Sequence, residues 1–301
     1  MTYPFLTELK SAALRLEAAL REHIAEAPLS GPGPAPARLV DAMRHGSLNG
    51  GKRLRPFLVE QAAGIFGLAP EAATRTGLAI EMVHCYSLIH DDLPAMDDDD
   101  LRRGQPTVHK AYDEATAILA GDTLLTHAFA VLADPATHRD ADIRIRLVTE
   151  LALGSGAGGM AGGQMRDILG ETSPLTEQGI RDMQAMKTGA LIRAAVRMGA
   201  ILGGASHGDL AALTHYAEAA GRAFQLADDI LDVTASAETM GKATGKDAEA
   251  GKQTLVGKLG LEAAHLELHQ TVAEAISALE GFGAKADGLR ATARYFASRE
   301  N

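Results

Sequence analysis

The chain has 301 residues, of which 46% are hydrophobic and only 4% aromatic, with no Trp and a formal net charge of −10. That length suits one large domain or two small ones, and a core drawn from Ala, Leu, Ile, Val and Met favours helices over sheets. The acidic balance excludes a general nucleic-acid binder, which needs a basic face, but not an anionic ligand, because local basic clusters outweigh the global sign.

Leu6, Leu9, Ala13, Leu16, Leu20 and Ile24 recur every three or four residues and predict an amphipathic first helix. Residues 1–26 also carry Glu8, Lys10, Arg15, Glu17, Arg21 and Glu22, unlike a signal peptide. APLSGPGPAPA (27–37), with four prolines and two glycines, ends that helix in a loop too short to mark a domain linker. Helical periodicity then fills residues 38–47, 56–66, 71–92, 107–132, 139–168, 176–202, 207–234, 254–279 and 284–298. No strand-period segment of useful length, fixed-period repeat or bilayer-length apolar run is evident. The expectation is an all-α protein, one domain over 1–301, built as a bundle of roughly ten helices.

GGKRLRP (50–56) opens the third of these helices with Lys52, Arg53 and Arg55 after two glycines. The next helix carries His84 and the only cysteine, Cys85. A single cysteine rules out an intramolecular disulfide and a one-chain thiolate zinc cluster, and suits a reducing, cytoplasmic setting.

This helix runs into HDDLPAMDDDD (90–100), where six carboxylates fall within ten residues. Like charges this close repel unless a cation sits among them. Asp91 and Asp97 are six apart, off one face of an ideal helix, but Pro94 between them kinks or ends the helix and allows Asp97 to return beside Asp91. Asp98, Asp99 and Asp100 read as a solvated bridge to Arg102 and Arg103. His84, two helical turns before Asp91, shares its face. The order of acids and glycines does not match an EF-hand loop.

LGSGAGGMAGGQM (153–165) holds six glycines. It reads either as a loop or as a helix whose bare face admits a close neighbour. The second is preferred, because Leu147, Val148, Leu151 and Ile168 continue the apolar pattern around it. MKTGAL (186–191) places Lys187 and Thr188 before a glycine.

FQLADDILDV (224–233) forms a second acidic cluster. Gln225, Asp228 and Asp232 share a helix face, Asp229 lies beside it, and Leu226, Ile230 and Val233 are free to pack inward. Carboxylates embedded in an apolar helix imply a partner, since burying them uncompensated is costly. Lys242, Lys246 and Lys252 follow in MGKATGKD and GKQT. None of the basic segments is a Walker A loop. Carboxylate oxygens suit Mg2+, which takes one or two protein carboxylates and completes its shell with water and substrate phosphates. Two such clusters with interleaved cations point to Mg2+ around a polyphosphate.

From about residue 38 onward, the chain resembles the short-chain trans-isoprenyl diphosphate synthases, and among them the bacterial farnesyl-producing branch. SLIHDDLPAMDDDDLRRGQPTVHK resembles the family's first aspartate-rich motif in its bacterial form, and FQLADDILDV the second. GGKRLRP, EMVHCYSLIH, KTGALI and MGKATGKD match in order and approximate spacing. The resemblance implies the isoprenoid synthase fold, all-α around a central cavity, a homodimer and three Mg2+ ions.

It further implies that Asp91 and Asp97 hold two of the ions and Asp228 the third, with Asp92 and Asp232 supporting. Arg102, Lys187, Thr188, Gln225 and Lys242 would contact the allylic diphosphate, with Arg102, Lys187, Thr188 and Lys242 assisting its departure. Lys52, Arg55, His84 and Arg103 would hold isopentenyl diphosphate. Farnesyl-producing members carry an aromatic five residues before the first aspartate, here Tyr86; a core tyrosine is the competing reading. Alternatives on the same resemblance are a geranylgeranyl or geranyl diphosphate synthase and a non-catalytic partner subunit. A terpene cyclase shares the aspartates and Mg2+ but would leave GGKRLRP without a clear role.

Overall fold

The structure, a computed structural model, describes residues 3–239 and 254–298. The regular structure of the described residues is helical apart from one pair of two-residue strands. Two compact units emerge, Leu6–Val148 and Thr149–Asn301, the latter with Met1–Phe5.

In the first unit, α1 (Phe5–His23) is followed by a single turn, α2 (Glu26–Leu29), then α3 (Ala37–Ser47), α4 (Leu54–Ile65) and α5 (Pro70–Asp91). α6 (Val108–Ala111) and α7 (Glu114–Ala133) come next, and α8 (Ala141–Ser155) carries the chain into the second unit. α1 buries Leu9, Ala12, Leu16 and Leu20, followed by Ile24, whereas Leu6 points outward at 67% exposure. The apolar stripe therefore starts one turn later than expected.

Pro70 at the first turn starts α5 with a preset φ. Burial then reaches round the helix at Thr76, Gly77, Leu78, Ala79, Ile80, Glu81, Met82 and Val83, because α4 and α7 both pack on it. Gly77 lies against Pro56 of α4, which an added Cβ would approach to 3.1 Å. α7 is long and apolar enough to cross a membrane by composition. No such run was expected from the sequence. Here Ala117, Ala120, Gly121, Leu124 and Ala128 of α7 are buried in the unit. The helix expected over 107–132 is divided at Tyr112–Asp113, where Asp113 caps α7 by accepting from the Thr116 N–H at 2.7 Å.

In the second unit, α9 (Met160–Thr172) and α10 (Glu177–Gln184) lead into a π-helical turn, Ala185–Gly189, and α11 (Ala190–Leu202). α12 (His207–Thr239), α13 (Leu255–Leu259), α14 (Leu261–Ser277), a 3-10 segment (Glu280–Ala286) and α15 (Asp287–Ala297) complete it. The glycine-rich run is not one helix: Gly156–Gly159 interrupts it between α8 and α9. The predicted helix over 254–279 likewise breaks at Gly260, whose φ of 82° lies in the left-handed region that glycine favours. On α12, Leu226 and Ile230 are buried as expected, whereas Val233 is exposed.

Candidate active site

The first aspartate cluster begins where α5 ends. Residues 94–97 form a turn with Pro94 exposed, and the Asp97 N–H donates to the Asp91 carbonyl at 2.8 Å. The chain thus returns over one turn and brings two acidic residues six apart in sequence together. Asp91 is half-buried and Asp97 exposed. No three acidic, His or Cys side chains form a ready-made metal cage among the described residues. A pair of carboxylates fits Mg2+, which draws its remaining ligands from water and phosphate.

Asp92 behaves differently. It is buried, and its Oδ1 accepts from Arg102 Nε at 2.7 Å. Burial pushes its carboxyl above the ordinary range, with Arg102 opposing. For Arg102, burial pulls the pKa down, but the Asp92 hydrogen bond and neighbouring aspartates outweigh it. Arg102 belongs to a two-residue strand, β1 (Leu101–Arg102), paired with β2 (Gln105–Pro106). The intervening Arg103 and Gly104 both have positive φ, the backbone of a primed hairpin turn. This hairpin is too short to be read from strand periodicity. Asp99 lies 3.7 Å from Arg102, and Asp100 pairs with Lys110 at 2.8 Å.

A cationic basin lies in the same unit. Lys52 is exposed, Arg55 half-buried, and Arg103 donates to Asn49 Oδ1 at 3.1 Å and to the Gly50 carbonyl. Gly51 has φ 117°, a conformation that favours glycine, and the Arg103 guanidinium lies over it, 2.6 Å from where a Cβ would stand. Burial lowers the His84 pKa well below its ordinary value, followed by Arg55, Arg103, Arg53 and Arg102 in turn. His84 is therefore a neutral imidazole among arginines. Tyr86 is half-buried and packs edge-on against His90, ring centroids 5.7 Å apart.

In the second unit, Lys187 and Thr188 sit on the π turn, a deviation often found at functional sites. Glycines make room for it. A Cβ on Gly163 of α9 would lie 2.1 Å from the Lys187 backbone nitrogen, and one on Gly221 of α12 would lie 3.1 Å from Gly189 Cα. Lys187 Nζ donates to Asp167 Oδ2 at 2.5 Å. Thr188 Oγ1 donates to Gln225 Oε1 at 2.9 Å.

Asp229 is buried and accepts from Gln184 Nε2 at 2.8 Å, Gln225 Nε2 at 3.1 Å and the Leu255 N–H at 3.1 Å. Asp228 is half-buried and Asp232 exposed. The three acids of this cluster thus occupy three distinct environments. A cavity of about 400 Å³ within this unit is bordered by Gln184, Met186, Gly189, Gln225, Leu226 and Leu255. Lys242, Lys246 and Lys252 lie outside the described residues.

Two residues here were not singled out from the sequence. Asp167 holds Lys187, and Gln164, one helical turn earlier, has its Oε1 buried without a partner among the described residues. Their signal is a Gln and an Asp three apart on a helix directly after a glycine pair.

The polyprenyl synthetase family model matches residues 36–287. The chain is 42% identical over 300 residues to the farnesyl diphosphate synthase of Escherichia coli, covering 98% of this chain and 99% of that one. It is 43% identical over 269 residues to the chloroplastic geranylgeranyl pyrophosphate synthase of Capsicum annuum, covering 88% and 73%. A crystal structure of an apo FPP/GFPP synthase from Zymomonas mobilis superposes with a TM-score of 0.87 at 41% identity, covering 98% of this chain and all of that one. The matched span takes in both aspartate clusters, GGKRLRP and the Lys187 turn, and the chain belongs to the polyprenyl synthetase family.

Proposed function

We propose that the protein condenses isopentenyl diphosphate head-to-tail with dimethylallyl and then geranyl diphosphate, giving farnesyl diphosphate. The observation that carries this reading is the return of the Asp97 N–H onto the Asp91 carbonyl, in the same unit as His84 and the Arg55, Arg103, Arg53 and Arg102 charges that act on it. Full-length identity to a farnesyl diphosphate synthase supports the product.

Asp91 and Asp97 would hold two Mg2+ ions and Asp228 a third, with Asp92 and Asp232 in support. Bound there, Mg2+ supplies charge stabilisation for the departing diphosphate. The protein's own cations act with it. Lys187, Arg102 and Lys242, with Thr188 and Gln225 as hydrogen-bonding groups, orient the allylic diphosphate and stabilise charge as its C–O bond breaks. Lys52, Arg55, Arg103 and the neutral His84 hold isopentenyl diphosphate so that its double bond attacks the allylic carbon. A new C–C bond forms, and the proton lost from the adduct passes to the released diphosphate. Apolar helices shield the cation from water.

A homodimer is part of the proposal, supported by Ile118 and Leu119 lying exposed on α7. A cytoplasmic site of action is supported by the single reduced, buried Cys85.

The test is incubation of purified protein with Mg2+, isopentenyl diphosphate and dimethylallyl diphosphate, followed by sizing of the products. A dominant fifteen-carbon product is expected. A dominant twenty-carbon product would establish the second reading instead, geranylgeranyl synthesis, the activity named for the relative from Capsicum annuum. Cyclised product without consumption of isopentenyl diphosphate would indicate a cyclase. Absence of turnover with retained dimerisation would indicate a partner subunit.

A further inference from the structure

GGKRLRP presents three cationic residues within four positions, yet the structure separates them. Lys52 is exposed and Arg55 half-buried, whereas Arg53 is 3% exposed and its guanidinium points into the protein. Arg53 Nη1 donates to Glu81 Oε1 at 2.7 Å, and Nη2 donates to the Ser47 carbonyl at 2.6 Å. Glu81 is itself 2% exposed, in the middle of α5. A single guanidinium therefore joins the end of α3, the start of α4 and the centre of α5.

The backbone is shaped around this joint. Arg53 has φ 51° as the residue preceding α4, a left-handed conformation that an L residue keeps only when its surroundings hold it. Gly50 and Gly51 also have positive φ. Turning Arg53 inward leaves Lys52 outside. His84 stands three residues beyond Glu81 on α5 and faces the same cations. Asn49 and Gly50, which hold Arg103, lie two and three residues after Ser47.

We propose that Arg53 and Glu81 are a positioning pair for the isopentenyl diphosphate site: Arg53 touches no substrate, and the buried bridge from Glu81 to the Ser47 carbonyl sets where Lys52, Arg55, His84 and Arg103 stand. The proposal rests on the assignment of that basin to isopentenyl diphosphate. Arg is suited to the task because its planar fork serves two acceptors at once, which a lysine ammonium on its flexible stem does less rigidly. Glu81 neutralises a charge that would otherwise be buried alone, and removing either partner is more disruptive than removing both.

The test is steady-state kinetics with both substrates on Arg53→Lys, Arg53→Met, Glu81→Gln, the Arg53→Met/Glu81→Met double variant and, as a control, Lys52→Ala. Arg53→Met and Glu81→Gln should each raise KM for isopentenyl diphosphate by about ten- to a hundred-fold, because small misplacement of binding groups has effects of this size. KM for the allylic substrate should stay within about two-fold, an unaffected site serving as the reference. The double variant should be no worse than Arg53→Met, and Arg53→Lys should fall between it and wild type. A normal isopentenyl diphosphate KM in Glu81→Gln overturns the proposal in favour of direct contact by Arg53. A lowered melting midpoint with no change in either KM overturns it in favour of a purely structural pair. Should Arg53→Met not fold, Glu81→Gln and Arg53→Lys decide between the same outcomes. If Lys52→Ala itself leaves KM for isopentenyl diphosphate unchanged, the assignment of the basin has failed; a strong Lys52 effect with silent Glu81→Gln sinks the positioning pair alone.

Discussion

The Lys187 ammonium donates to the Asp167 carboxylate, so the cation at the centre of the π turn is held by the helix that approaches it through Gly163. Lys187 is half-buried, and a charge-assisted bond in that setting contributes about 1.5–3 kcal/mol. Lys187→Met is expected to lower kcat/KM for the allylic substrate by about 10- to 100-fold. Asp167→Asn should lose about ten-fold, and the double variant should lose no more than Lys187→Met, because groups acting as one unit are not additive. A double variant whose losses multiply would show that Asp167 acts independently of Lys187.

The same approach predicts sharp discrimination between neighbouring glycines. A Cβ on Gly163 would overlap the Lys187 backbone at 2.1–2.5 Å, whereas one on Gly158 meets nothing within 4 Å. Gly163→Ala must push α9 off the π turn and should destabilise by about 1–3 kcal/mol, the usual range for overpacking. Its activity should fall with it. Gly158→Ala should be silent in both thermal melts and turnover. Equal behaviour of the two would show that the glycines serve only the loop.

These contrasts show what the sequence makes legible. The buried stripe of α1 follows from helical spacing, and the turn at Pro94 follows from a residue that cannot continue a helix. The glycine-rich run supports both competing readings in part: Gly156–Gly159 is a break, while Gly163 within α9 admits a close neighbour. Lys52 and Arg53 are indistinguishable by composition and opposite in burial, because a left-handed φ at Arg53 turns one side chain inward. Asp167 stands three residues after Gln164 behind a glycine pair, but its partner is specified only when Lys187 is brought against it. The acids of the second cluster separate by tertiary partners, which helical spacing alone does not specify.

That separation is testable with magnesium. Asp228 is proposed as a metal ligand, whereas Asp229 faces Gln184, Gln225 and the Leu255 N–H. Asp228→Asn should raise the Mg2+ concentration needed for half-maximal rate and lower kcat by more than about ten-fold, as expected on losing charge stabilisation of the leaving group. Asp229→Asn should leave the Mg2+ requirement unchanged and lower stability by about 1–3 kcal/mol through a disturbed buried network. Magnesium titrations and denaturation curves on the two variants distinguish them; a shifted Mg2+ requirement in Asp229→Asn would move that residue into the metal site.

Tyr86 is half-buried on α5, one turn before His90, and burial followed by Asp91 raises its phenol pKa above the ordinary value. If its ring closes the end of the prenyl pocket, Tyr86→Ala should shift the principal product from fifteen to twenty carbons or beyond while consuming both substrates. Chromatography of the dephosphorylated products reads this directly. An unchanged product would assign Tyr86 to core packing against His90.

The arginines around His84 also set a pH dependence. Burial and the charges of Arg55, Arg103, Arg53 and Arg102 lower its folded pKa well below the ordinary value of about 6.5. Between the folded pKa and that value, the unfolded chain binds a proton that the folded chain does not. Stability from this group is therefore complete above about pH 6.5 and declines as pH falls, by at most about 1.4 kcal/mol per pH unit. His23 and His127 are lowered too, chiefly by burial, and add slopes of the same sign. His84→Gln should leave those two contributions intact while removing its own. Melting midpoints from pH 7.5 to 5.5 should therefore fall less steeply in the variant than in wild type, and parallel curves would show that folding leaves the His84 pKa at its ordinary value.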